Sequence, residues 1–255
     1  VALLVLALAG LPAVAWGERG HRIVAEIAAR RVDPRTAAAI AELLDGATLA
    51  DVSFWADRAR ETPRYAWTRP LHYVNLPPDA AGYEPARDCP ERLCVVAAVE
   101  RFADELRDAD LDRASRAAAL RFLVHFVADV HAPLHVALAE DRGGNLIAVR
   151  FGGDETNLHR LWDGALIRPG DPVARAAALD AGLDEAEVAR LRDSSPVVWA
   201  DESWRLAHGH AYAVPADGVV DADYARRASD VIDDRLAAAG IRLAALLDRA
   251  LSASR

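Results

Sequence analysis

The sequence predicts an all-α protein: a single compact multi-helix domain with a small β-ribbon. Three observations predict it. Apolar residues recur at helical spacing along most of the 255 residues. Only two short stretches, 71–76 (LHYVNL) and 145–151 (NLIAVRF), read as extended. No repeat, heptad array or interdomain linker breaks the pattern.

Taken in order, residues 1–15 (VALLVLALAGLPAVA) are apolar and close on Ala-Val-Ala. That is the signature of a secretory leader removed after Ala15. A stretch this short, with a Pro near its end, falls below the ~20 residues of a membrane span, and a buried N-terminal helix is the alternative. The domain is then 16–255. GHRIVAEIAARRV places Ile23, Val24, Ile27, Ala28 and Val32 at helical spacing. DPRTAAAIAELLDG opens on Asp-Pro and closes on Gly46, the expected start and stop signals. ADVSFWADRAR, VVAAVERFADELRDA and DRASRAAALRFLVHFVADV continue the helical series, the last ended by Pro133. The stretches 71–76 and 145–151 are expected to pair with each other as the ribbon, and 77–90 is a Pro/Gly-rich loop. ETNLHRLWDGALI, DEAEVARLRD, SPVVWADESWRLA and a long terminal helix through VIDDRLAAAGIRLAALLDRAL complete the series. Cys89 and Cys94, in RDCPERLC, read as a disulfide rather than a metal site in an exported chain, with free thiols as the alternative. A formal net charge of −9 argues against a basic, duplex-gripping surface unless bound cations offset the carboxylates.

The eight histidines carry the chemistry. His125 and Asp129 are four apart on one helix, so both project from one face, and His135 lies just past Pro133. His159 and Asp163 repeat that spacing on another helix. An imidazole and a carboxylate so placed offer one ion two ligands without backbone strain, and such nitrogen/oxygen sets suit zinc. A single pair would be read as a weak surface ion pair. Here both pairs sit among core-type residues: Leu123, Val124 and Phe126, and Leu158, Leu161 and Trp162. Burying His and Asp there demands a compensating partner, which a divalent cation supplies. Asp57 in FWADRAR, His72 in LHYVN (expected on a short strand) and His21 in WGERGH are each ambiguous alone. His131, His208 and His210 read as structural, site-rim or surface residues.

The ordered motifs W-G-x-x-G-H, W-A-D, L-H-Y, L-V-H-F-x-x-D, P-L-H, G-G-N and N-L-H-x-x-W-D resemble the zinc-dependent S1/P1 single-strand nucleases. That family comprises secreted fungal enzymes, plant bifunctional nucleases and bacterial relatives, among which this chain is counted. The resemblance implies a helical domain of the zinc phospholipase C/nuclease type. It also implies three zinc ions per chain, hydrolysis of single-stranded DNA and RNA to 5′-phosphate products, and 3′-nucleotidase activity. Carried over by position, one zinc takes Asp57, His72, His125 and Asp129, and a second takes His135, His159 and Asp163. The third takes His21, Asp129 and the terminal amine and carbonyl oxygen of Trp16, the first residue once the leader is gone. An α-amine with a reference pKa of about 7.7–8.0 yields its proton to a metal at modest cost. Asp129 would bridge two ions, as only a carboxylate can.

By the same resemblance Arg60 contacts the transferring phosphate and Tyr73 stacks a base. Asn75 stands where the fungal enzymes carry an Asp that orients the attacking water, and an amide there can hydrogen-bond but cannot take a proton. Asn145 sits in a family turn near the site. The implied partners are single-stranded nucleic acids and 3′-nucleotides, met by a secreted or periplasmic monomer with no stable membrane association. Two rival readings share most ligands. A zinc phospholipase C usually carries Glu where this chain has Asp163. A non-catalytic zinc-binding export protein would leave no coordination position open.

Overall fold

The computed structural model describes residues 16–252; the leader assigned to 1–15 lies outside them. Twelve α-helices and four short strands occupy that span. The first four helices are α1 (Glu18–Arg31), α2 (Pro34–Leu43), α3 (Leu49–Val52) and α4 (Trp55–Ala59). A 3₁₀ helix, Ala66–His72, leads into β1 (Val74–Leu76) and then α5 (Pro85–Asp88). Two long helices follow, α6 (Val95–Arg107) and α7 (Arg113–His131). A 3₁₀ turn, Pro133–His135, then opens into β2 (Val136–Leu138), β3 (Ala148–Phe151) and β4 (Asp154–Asn157). Short α8 (Leu158–Arg160) precedes α9 (Pro172–Ala181), α10 (Glu185–Arg192), α11 (Pro196–Leu206) and the long α12 (Ala222–Ser252).

The helix starts follow the sequence signals. Asp112, Asp171, Asp184 and Ser195 each accept a hydrogen bond from the backbone N–H three residues on, capping α7, α9, α10 and α11. Pro34, Pro172 and Pro196 occupy first-turn positions where no amide donor is needed. The core lies where α1 packs on α12 and α6 on α7. Gly240 lets the first pair close: a Cβ there would stand 2.4 Å from Ile27. The last ten residues of α7, Phe122–His131, are all buried. Both polar faces of that half-helix therefore need partners inside the protein.

The two extended stretches do hold strands, but they do not pair with each other as expected. β1 pairs in parallel with β2, Val74 against Val136, and β3 pairs with β4 in a hairpin turning at Gly152-Gly153. The parallel pairing is non-local and had no signature in either segment. His72 ends a 3₁₀ helix rather than lying on a strand, because the chain becomes extended only at Tyr73. The His159 helix is also irregular. After one α turn it widens to a π-helix over Leu161–Ala165, with Leu166 N–H donating to Leu161 O. Cys89 and Cys94 are disulfide-bonded, as expected, and lock the loop that caps α6. Among the described residues, no helix is long and apolar enough to cross a membrane.

Candidate metal centre

Three groups of ligand-type side chains converge beneath one cavity: Asp57/His72/His125, His135/His159/Asp163 and His21/His125/Asp129. All eight of these residues are buried. They come from α1, α4, the 3₁₀ segments, α7 and the α8 region, so the helical packing assembles what the sequence scatters.

In the first group, His72 Nδ1 stands 2.9 Å from Asp129 Oδ2 and 3.7 Å from Asp57 Oδ1. His125 Nε2 is 3.2 Å from His72 Nδ1, 3.2 Å from Asp129 Oδ2 and 3.8 Å from Asp57 Oδ1. Four zinc ligands at ~2.0 Å would form a tetrahedron with edges of roughly 3.3 Å, which these separations bracket. In the second group, Asp163 Oδ2 lies 3.0 Å from His159 Nε2 and 3.9 Å from His135 Nε2. The other oxygen of Asp129, Oδ1, turns toward His21 Nε2 at 3.4 Å. One carboxylate thus faces two groups, the bridging arrangement expected of it.

The backbone orients the imidazoles. His125 Nδ1 donates to Ser53 O at 2.9 Å, His135 Nδ1 to His72 O at 2.7 Å, and His159 Nδ1 to Gly143 O at 2.7 Å. Fixing the proton on Nδ1 leaves Nε2 as a bare donor aimed into the centre. The Gly143 turn depends on glycine: its φ is +63°, and a Cβ would come within 2.3 Å of Leu134 O.

Whether this donor set fits a metal is decided by what stays unpaired. Among the atoms that face the groups, His21 Nε2, His135 Nε2, Asp129 Oδ1 and Asp163 Oδ2 have no hydrogen-bond partner. Asp57 Oδ2 has none either, and Asp57 Oδ1 meets Arg60 Nη2 only as an ion pair at 2.8 Å. Buried orphans at this density are costly, and divalent cations relieve them. Burial raises the Asp57 carboxyl above its ordinary value. Burial, reinforced by His125, holds His21 well below the usual imidazole range, and burial takes His72 down to about 3. Both rings are therefore neutral, the form that binds metal.

Trp16 is 2% exposed, and the next residue, Gly17, donates its N–H to the backbone oxygen of Asp163 at 2.7 Å. Arg60, Tyr73, Asn75 and Asn145 all line the cavity of about 520 Å³ above the groups, with His72, His135 and His159 in its floor. Tyr73 is 44% exposed, so core packing is not its role. Asn145 donates from Nδ2 to Arg142 O and braces the turn. Arg142 and Leu134 also line the cavity and had not been singled out. Arg142 has a left-handed backbone (φ +55°), and its only sequence signal was the following Gly-Gly. His131 is buried away from the groups, whereas His208 and His210 are exposed.

This arrangement agrees with the comparisons to known proteins. Residues 16–252 match the S1/P1 Nuclease family. Endonuclease 2 of Arabidopsis thaliana is 33% identical, over 92% of this chain and 90% of its own. Nuclease S1 of Aspergillus oryzae is 30% identical over 95% and 94%. Nuclease P1 of Penicillium citrinum is 36% identical over a shorter match, 58% and 57%. Enzymes of this family use three zinc ions, cleave single-stranded nucleic acids and have 3′-nucleotidase activity. With the match covering every described residue and the ligand groups in place, the chain belongs to the S1/P1 nuclease family.

Proposed function

We propose that this chain, beginning at Trp16, hydrolyses phosphodiester bonds in single-stranded DNA and RNA to 5′-phosphate products and removes 3′-phosphates from nucleotides. The observation that carries this reading is the convergence of three unsatisfied His/Asp groups, two of them meeting at Asp129, beneath an open cavity. Asp57, His72, His125 and Asp129 would hold one zinc, and His135, His159 and Asp163 a second. His21, Asp129 and the Trp16 terminus would hold the third. When bound, zinc supplies Lewis-acid activation of water and of the phosphoryl oxygens.

The other residues position the substrate. Arg60 is fixed by its ion pair to Asp57 and lines the cavity, where a guanidinium complements charge on the transferring phosphoryl group. The exposed ring of Tyr73 offers a stacking face that an unpaired base can reach and a paired base cannot. Asn75 can orient a water by hydrogen bonding but cannot accept its proton, so no side-chain base acts from that position. The open cavity over the ligands speaks against a non-catalytic zinc carrier. In this reading the protein acts as a monomer. Removal of 1–15 and export are supported by the leader pattern, by the disulfide and by a family match that begins at residue 16.

Two versions of the protein test this. One begins at Trp16, and the other keeps one residue before it. The first should bind three zinc ions and cleave single-stranded DNA far faster than duplex. The second should lose one zinc and most turnover. A zinc-loaded protein that hydrolyses no phosphate ester would overturn the reading.

A further inference from the structure

Beyond the cavity lies a second exposed aromatic. Among the described residues, the large hydrophobics on the surface include only two aromatics, Trp67 (42% exposed) and Tyr73 (44%). They sit at the two ends of the same 3₁₀ segment, Ala66–His72 and the residue after it. At about 2 Å of rise per residue they are roughly 12 Å apart along the chain. Helix α6 runs beside this segment: Val95 N–H donates to Tyr73 O at 3.1 Å, and Phe102 lies 6.5 Å from the Trp67 ring. The Arg101 guanidinium sits over Trp67, 4.6 Å from the ring centre, and pairs with Glu105 at 2.7 Å.

The chain around Trp67 is basic. In a chain of net charge −9, residues 58–69 carry four arginines against one acid, Glu61. Arg69 bridges the strip to the cavity, donating to Arg60 O at 3.2 Å and to Glu61 at 2.8 Å. Arg64 lies over the Tyr65 ring, 5.3 Å from its centre. Beneath them Trp55, Tyr65 and Phe122 pack edge to face at 5.0–5.4 Å, a rigid base for the surface rings. Alternating aromatic faces and guanidinium groups leading away from a cavity are what an extended single strand requires. Its bases stack without regard to sequence while its phosphates track the positive charge. A duplex hides the base faces this strip would use.

Resting on the nuclease reading above, we propose that Trp67 and Arg101 form a second base platform. It receives the substrate strand where it leaves the Tyr73 cavity and makes long single strands better substrates than mononucleotides. The strand is bound there, not cut.

The test compares Trp67→Ala, Trp67→Tyr and Arg101→Gln with the parent zinc enzyme on a twelve-residue oligothymidylate and on a nucleoside 3′-monophosphate. For Trp67→Ala, kcat/KM on the oligonucleotide should fall about ten-fold, chiefly through KM, as loss of one stacked base implies. Turnover of the mononucleotide should stay within about two-fold, Trp67→Tyr should restore the oligonucleotide rate, and Arg101→Gln should reduce its salt dependence by about one phosphate contact. Parallel loss on both substrates would make Trp67 merely structural and overturn the proposal. So would unchanged oligonucleotide kinetics, including the case in which only sedimentation changes and the patch is a contact between copies. A parent enzyme inactive on both substrates would refute the nuclease reading and the platform with it.

Discussion

His125 and His131 lie six residues apart on the same buried stretch of α7, yet their surroundings answer burial in opposite ways. His131 Nδ1 donates to Val127 O at 2.7 Å, and its Nε2 accepts from Arg242 Nη1 at 2.9 Å. Burial and the guanidiniums of Arg235 and Arg242 hold this ring well below its usual pKa, hence neutral. Glu202 neutralises the arginines, accepting from Arg235 at 2.5 Å and from Arg242 at 2.6 and 2.8 Å. Arg235 also donates to the carbonyls of His131 and Trp199. None of these side-chain atoms is left unpaired. On the opposite face of the helix, His125 and Asp129 meet other ligands, and orphaned atoms accumulate around them. Burial of a histidine is therefore no mark of a metal site; the absence of an internal partner is. One cluster is a closed structural lock, and the other is completed from outside the chain.

Breaking the bridging ligand should have the largest effect. Asp129→Asn removes a charge shared by two groups, so zinc content should fall below two per chain. Turnover should drop on the order of 10³-fold or more, measured by metal analysis and single-strand hydrolysis. Glu202→Gln should do the reverse: zinc stays at three, while two buried guanidiniums lose their counter-charge and stability falls by about 3–5 kcal/mol in denaturant titration. Gly143→Ala probes the orientation of one ligand. By displacing the turn that accepts from His159 Nδ1, it should weaken zinc at the second group about 10–100-fold and leave the first intact. His131→Phe should cost about 1–3 kcal/mol by stranding an Arg242 donor, without loss of metal.

The smallest effect is on pH dependence. Burial alone would raise the Glu202 carboxyl, but Arg242 and Arg235 take it from 4.5 down to about 2. A carboxyl depressed on folding stabilises above its unfolded value, and the contribution is lost as pH falls toward the folded one. The stability gap between the parent and Glu202→Gln should therefore narrow from pH 4.5 toward 2, read as a converging pair of melting curves.

Most of the helices, the Asp-Pro start of α2 and the disulfide were legible in the sequence because their signals are local, whereas α9 was not among the expected helices. Legible too were the pairs His125/Asp129 and His159/Asp163, whose four-residue spacing survives even the π-helical widening at Leu161–Ala165. What escaped was non-local. The partner strand of Val74–Leu76 lies 62 residues further on, and the arginine that satisfies His131 lies 111 residues on. His131 was read as structural or site-rim, but its partners could not be named. Arg142 was missed for a different reason: its backbone conformation, set by the turn, carries it to the cavity.

The most direct measurement is anomalous diffraction at the zinc edge from crystals of the protein beginning at Trp16. The account predicts three peaks, each about 2.0–2.2 Å from ligand atoms of one group, with Asp129 touching two. Peaks lying elsewhere, or an active enzyme with these groups empty, would contradict it.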